Sequence, residues 1–255
     1  MPPLTHRENA VQDIRGAYIR NIGLRVFRMA AGASSLCAGR CDSGPRGRPA
    51  KSGPAFRAVL KVRRRGKNRR MIGRLLRPLR SGTAKLAGND PRVAAPVTIE
   101  VSSPEFARGT TMPARYRGLD GINPPLRWTN IPPSARDLVL IVEDVDVPLR
   151  APLVHSILYE MSPTKNGIEA GDIPKVHRGA PDRIPGASLG KGSVGLGWLP
   201  VTPIPGHGPH RYVFQLFALD EKLPLQHKIL SKKDLLAMMA GHVIARGVTT
   251  GLAEA

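Results

Sequence analysis

Gly208-Pro209-His210-Arg211-Tyr212-Val213-Phe214-Gln215-Leu216-Phe217-Ala218-Leu219-Asp220 reads as an alternating β-strand entered through a bent Gly/Pro loop. Every second side chain of a strand points to the same face, so His210 and Tyr212 face one way and Arg211 the other. An imidazole and a phenol side by side both donate hydrogen bonds, and that pairing suits an oxyanion. Seen singly, Tyr212 also fits an edge aromatic, and Arg211 a surface or packing group.

Working upstream, the apolar run Leu138-Val139-Leu140-Ile141-Val142 ends in Glu143-Asp144-Val145-Asp146-Val147-Pro148. Alternation puts Asp144 and Asp146 on one face of a strand end, where two like charges repel, an arrangement that packing alone does not select. His155 lies inside a further apolar strand, residues 152–159, and a buried histidine needs a polar neighbour, for which the two acids are the candidates. A strand-end acid and a satisfied core histidine are the alternatives.

Charge divides the chain. Residues 1–94 hold 22 Lys or Arg against 4 Asp or Glu, whereas residues 95–255 hold 17 against 15, so nearly all of the net +20 belongs to the first part. The dense basic run 61–70 lacks interleaved aromatics and is expected to be disordered, as is the whole extension 1–70. Two readings fit it: a solvated tail, or a charge-only hold on the phosphates of nucleic acid or an anionic membrane. A third reading makes Met71 the true initiator and residues 1–70 an over-long gene model. Residues 71–94 form a short lead-in whose apolar positions 72, 75, 76 and 79 have helical spacing, limited by Pro78.

Cys37 and Cys41 are the two cysteines, too few for a four-ligand zinc site, so no metal or other cofactor is expected. Arginines interrupt the early apolar residues and no apolar run reaches the length of a bilayer span, so a cytoplasmic protein is expected.

Ordered motifs carry a family resemblance over about residues 95–250. Ser103-Pro104-Glu105-Phe106, Pro124-Pro125-Leu126-Arg127-Trp128, the acidic strand end at Asp144 and Asp146, Gly208-Pro209-His210-Arg211-Tyr212, and the segment 231–251 with Gly241-His242-Val243 resemble the phosphatidylethanolamine-binding proteins, which include the Raf kinase inhibitor proteins, in their bacterial and archaeal branch. The resemblance implies a mainly β protein, an antiparallel β-sandwich with peripheral helices spanning residues 95–252. It implies a small anion pocket lined by Asp144, Asp146, Pro148, His155, His210 and Tyr212, with Gly195 and Gly197 in the adjoining loop. Departures are Val145 between the acids, Ser156 after the histidine, Gly121-Ile122-Asn123 before the paired prolines, and the loop 198–205.

In such a pocket each carboxylate can orient one imidazole, leaving its other N–H for the ligand. Loop glycines would bring further backbone N–H donors close. Binding of a phosphate-bearing small molecule or lipid headgroup is the favoured function. No nucleophile elbow, P-loop or H-E-x-x-H signature accompanies the site, so an enzyme is not expected, although the His/Asp set could serve a small hydrolase. The resemblance also admits a kinase or protease inhibitor or adaptor and a homodimer. His207 is expected to be loop decoration, Trp128 and Trp198 core or loop anchors, and His242 part of a closing helix over 231–247 with Ser231 as its cap.

Overall fold

The computed structural model describes residues 69–177, 179–223 and 229–255. The expectations about Cys37, Cys41 and residues 1–68 therefore lie outside the described residues. The lead-in opens with helix α1 over residues 69–76, then passes through short 3-10 turns at Ala87–Asn89 and Pro91–Val93.

Two antiparallel sheets follow. The smaller has β1 (Glu100–Ser102), β2 (Leu126–Thr129) and β5 (Gly167–Ile168), in the order β1-β2-β5. The larger joins β3 (Asp137–Asp144), β4 (Leu153–Met161), β6 (Arg183–Ile184), β7 (Ala187–Leu189), β8 (His210–Leu219) and β9 (Val243–Ala253), in the order β6-β7-β4-β3-β8-β9. This is the expected β-rich sandwich.

The central strands explain their own composition. All eight residues of β3 are buried, because its inner face (Leu138, Leu140, Val142) joins Trp128, Tyr212, Phe214 and Leu216 in the sandwich core. Its outer face (Val139, Ile141) lies under Ala87, Val93 and helix α2 (Lys232–Met238). A strand covered on both sides reads as a continuous apolar run. The same holds for β8, where Arg211 alone is exposed.

The closing helix is shorter than its sequence implies. Ser231 and Asp234 make the expected capping box, but α2 ends at Met238, and Gly241 (φ +83°) turns the chain into β9. Residues 243–253 pair along the length of β8 instead of extending the helix. Val243, Ile244, Val248, Thr249 and Thr250 are β-branched, and Gly247 sits where an added Cβ would lie 2.4 Å from the Ile99 carbonyl oxygen. His242 consequently lies in the turn, near Asp220 (3.2 Å) and Glu221 (3.4 Å), not on a helix. Ahead of the Gly/Pro entry to β8, residues 183–189 fold as the β6–β7 hairpin.

Candidate functional site

Three neighbouring strands bring the sequence-distant residues together. Asp144 lies opposite Tyr212 in the β3–β8 register, two residues from His210. On β4 the register steps from Val142↔Ser156 to Glu143↔Val154, which leaves His155 as the extra residue of a β-bulge. A bulge re-aims one side chain without shifting the rest of the ladder. The His155 ring meets Tyr212 edge-on at 5.1 Å and Trp198 at 6.2 Å. His155, Asp144, His210 and Tyr212 are each 1–2% exposed.

The partners of each ring differ from the expectation. His155 Nδ1 donates to the Leu199 carbonyl at 2.7 Å, so a loop carbonyl, and neither acid, orients it. Burial pushes the His155 pKa down, against the nearby Asp144 charge and the Leu199 bond, which favours the neutral ring. With its proton on Nδ1, neutral His155 turns a lone pair outward at Nε2. That nitrogen and Trp198 Nε1 are buried and meet no hydrogen-bond partner in the protein.

His210 is held from both sides, by the Asp144 carboxylate at Nδ1 (2.8 Å) and by His207 Nδ1 at Nε2 (2.8 Å). His207 Nε2 in turn donates to the carbonyls of Leu76 (2.9 Å) and Leu79 (3.2 Å). Carbonyls and an ionised carboxylate only accept, and the N···N contact needs one proton. The two rings therefore share three protons, one more than two neutral imidazoles carry, and Asp144 is the counter-ion. Burial lowers the His207 pKa, against its bonds to the Leu76 and Leu79 carbonyls. The second His210 N–H, expected to be free for a ligand, is thus taken by His207.

Asp146 departs further. It does not share the Asp144 side of the strand end. Its carboxylate accepts two guanidinium bonds from Arg211 at 2.8 Å, the Arg211 backbone N–H at 2.8 Å, and Arg80 at 2.9 Å. The repulsion anticipated between the acids is relieved because the Asp146 N–H caps Asp144 Oδ1 at 2.8 Å while two arginines neutralise Asp146. Burial raises the Asp146 carboxyl, but the hydrogen bonds from Arg211 and Arg80 outweigh it and bring the pKa from 3.8 to about 2.

A folded pKa below the unfolded one contributes stability above pH 3.8 that is lost as pH falls towards 2. Asp146→Asn is accordingly expected to cost about 2 kcal/mol at neutral pH and progressively less in acid. Urea unfolding across that range checks it, and a gap that stays constant with pH contradicts the linkage.

Pro148 is buried in the turn beyond Asp146. The two loop glycines serve packing. Gly197 has φ +101°, and an added Cβ would lie 2.3 Å from the Pro174 carbonyl oxygen; Gly195 backs onto Val176. This close approach lets the Trp198 backbone N–H donate to Pro174 O (2.8 Å) and sets Leu199 O against His155. His207 and Arg80 are the neighbours of the cluster that sequence reasoning missed, while Trp198 is a core residue as expected. The one local signal for His207 is its position between Gly206 (φ +83°) and Gly208 (φ +94°).

Comparison with known proteins gives the family of this chain. The family profile described as phosphatidylethanolamine-binding protein matches residues 102–254. A UPF0098 protein of Methanothermobacter thermautotrophicus is 38% identical over 144 residues, 55% of this chain and 89% of that protein. One from Chlamydia muridarum is 34% identical over 164 residues, covering 61% and 99%. Among solved structures, the phosphatidylethanolamine-binding protein homologue CT736 of Chlamydia trachomatis superposes with a TM-score of 0.53 at 32% identity, covering 62% of this chain and 98% of its own. Escherichia coli YbcL shares the fold with a TM-score of 0.55 at 22% identity, over 62% and 99%. The profile match across residues 102–254, together with the β-rich fold shared with these structures, places the chain in the phosphatidylethanolamine-binding protein family.

Proposed function

We propose that this protein binds a phosphate-type anion, free or as a headgroup, against the buried face formed by His155, Tyr212, Trp198 and the Asp144-balanced His210. The observation that carries the reading is the pair of partnerless ring nitrogens, His155 Nε2 and Trp198 Nε1, in one aromatic cluster. Buried polar atoms in native proteins are nearly always satisfied, so such a pair marks a place for a polar guest. Trp198 supplies a donor as it stands. His155 Nε2 supplies one only after taking up a proton, which an anion would favour.

Phosphate or phosphorylethanolamine at about 100 times its Kd is expected to add about 2.7 kcal/mol, seen as a rise of several degrees in Tm. His155→Ala and Trp198→Phe, which remove the two partnerless ring nitrogens, each remove the shift, and its survival in both variants would refute the pocket. Because His155 is held neutral when empty, binding takes up a proton and tightens as pH falls through the histidine range. Replacement by Gln at 155 flattens whatever part of that dependence exceeds the ligand's own titration. Turnover above a protein-free control in a phosphatase or esterase screen, lost in the same variants, would move the reading to a hydrolase.

A further inference from the structure

Helix α1 is packed with its apolar face outward. Met71, Ile72, Leu75 and Leu79 are 58%, 50%, 74% and 54% exposed, and they make up four of the six large apolar side chains exposed among the described residues. Positions 71, 72 and 75 fall within an arc of roughly 100° on a helix. The opposite flank, not this one, meets the protein. Gly73 is its buried residue and Leu76 its half-buried one.

The attachment is made through backbone. An added Cβ at Gly73 would lie 2.1 Å from the Pro205 carbonyl oxygen, and one at Gly206 would lie 2.4 Å from that of Arg70. Arg77 Nε donates to Gly206 O at 2.9 Å, and Arg80 holds Pro209 O at 2.9 Å and Asp146 at 2.9 Å. An amphipathic segment normally turns its leucines to the core. Here glycine contacts and arginine bonds fix it in the reverse orientation, so none of the described residues covers the apolar stripe.

Charge identifies the occupant of the stripe. Residues 69–80 contain Arg69, Arg70, Arg74, Arg77 and Arg80, and no acid occurs between Asp42 and Asp90. Arg69, Arg70, Arg74 and Arg77 are exposed around the stripe. A stripe of Met, Ile and Leu flanked by arginines complements acyl chains beneath anionic headgroups, and it disfavours self-association, which would bring like charges together. No helix of the described residues is long and apolar enough to cross a membrane, so contact is confined to the interface.

We propose that α1 and the turn to Leu79 form a docking surface for an anionic lipid bilayer, with Ile72, Leu75 and Leu79 inserted at the acyl boundary and Arg69, Arg70 and Arg74 among the headgroups. The surface goes beyond the anion pocket and stands without it. It also adjoins that pocket, since the Leu76 carbonyl at the back of the helix holds His207.

The test uses the full chain and vesicles of equal parts phosphatidylglycerol and phosphatidylcholine, with pure phosphatidylcholine as the comparison. Trp128 and Trp198 are buried, so a Leu75→Trp variant reports on its own position after subtraction of the wild-type spectrum. Its emission is expected to shift to the blue on the anionic vesicles and not on the neutral ones. Ile72→Asp combined with Leu75→Asp, both at exposed positions, should keep the wild-type Tm and lose at least about tenfold in vesicle affinity. An unmoved Leu75→Trp spectrum overturns the proposal. So does undiminished vesicle binding by the double variant, which would assign the contact to the basic run 61–70. A concentration-dependent dimer that the double variant abolishes, with no spectral response to vesicles, also overturns it and makes the stripe a contact between copies of this chain. Because these lipids carry phosphate headgroups, the same measurements are repeated in a His155→Ala background; the Leu75→Trp shift is expected to persist there, so the two proposals fail separately.

Discussion

Replacing Asp144 by Ala is expected to lower the free energy of unfolding by about 3–5 kcal/mol near neutral pH, the range for removing one partner of a buried ion pair. The His207–His210 pair holds one proton beyond neutrality, and every acceptor around it except Asp144 is uncharged: the carbonyls of Leu76 and Leu79. Without the carboxylate, the folded protein must either bury an uncompensated charge or shed the proton and lose the 2.8 Å bond between the rings. Shedding it leaves the folded variant with one proton fewer than the wild type, while the unfolded chains still protonate both histidines below about pH 6.5.

The sign follows from that difference. A larger proton deficit in the folded state makes stability fall more steeply as pH drops, so the deficit of Asp144→Ala is greater at about pH 5 than at about pH 8. Asp144→Asn keeps one oxygen to accept the His210 Nδ1–H but sets its NH2 against the Asp146 N–H, removing the charge and one acceptor where Ala removes the charge and both, so its loss is expected to lie between the two proteins. Denaturant unfolding of all three at both pH values checks this. A loss under about 1 kcal/mol, equal at the two pH values, would contradict the counter-ion role.

Glu143→Ala is the second large effect, at about 3 kcal/mol, for a different reason. The Glu143 carboxylate is fully buried on the outer face of β3, where it accepts from Ala87 N (2.8 Å), Gln215 Nε2 (2.9 Å) and Lys232 Nζ (2.5 Å). Gln215 continues the chain by accepting from Gly88 N at 2.7 Å. One acid thereby ties the lead-in turn and the first residue of α2 to the sheet. Its removal strands a buried N–H and an amide, each costing about 1–3 kcal/mol, while Lys232, still 21% exposed, can turn to water. Amide exchange should accelerate over residues 85–93 and 232–239 well before it does in β3 and β8. Uniform acceleration throughout the domain would show that Glu143 supports the whole core and not this one attachment.

Much of the sandwich was legible from local pattern. The apolar run at 138–142 and the strand after His210 appear where alternation and burial put them, and the Ser231–Asp234 box starts its helix as its spacing implies. The helix end was not legible, because Val243 fits a helical stripe as well as a strand until β8 offers a full row of backbone partners. The bulge at His155 likewise leaves no mark in residue type; it exists only as a mismatch between β3 and β4.

Composition and spacing pointed to a β-rich domain after a basic lead-in and singled out His155, Asp144, Asp146, His210 and Tyr212, while only the family resemblance implied that they share one pocket. Short-range periodicity and capping suffice for such conclusions because they depend on neighbours a few positions away. Which groups carry charge was decided by contacts across the fold. Asp144 meets His210 over 66 positions, Asp146 meets Arg211 over 65, and His207 meets the Leu76 carbonyl over 131. A ring's tautomer and an acid's partner are set by whichever donor or acceptor arrives within about 3 Å, and only packing brings them there.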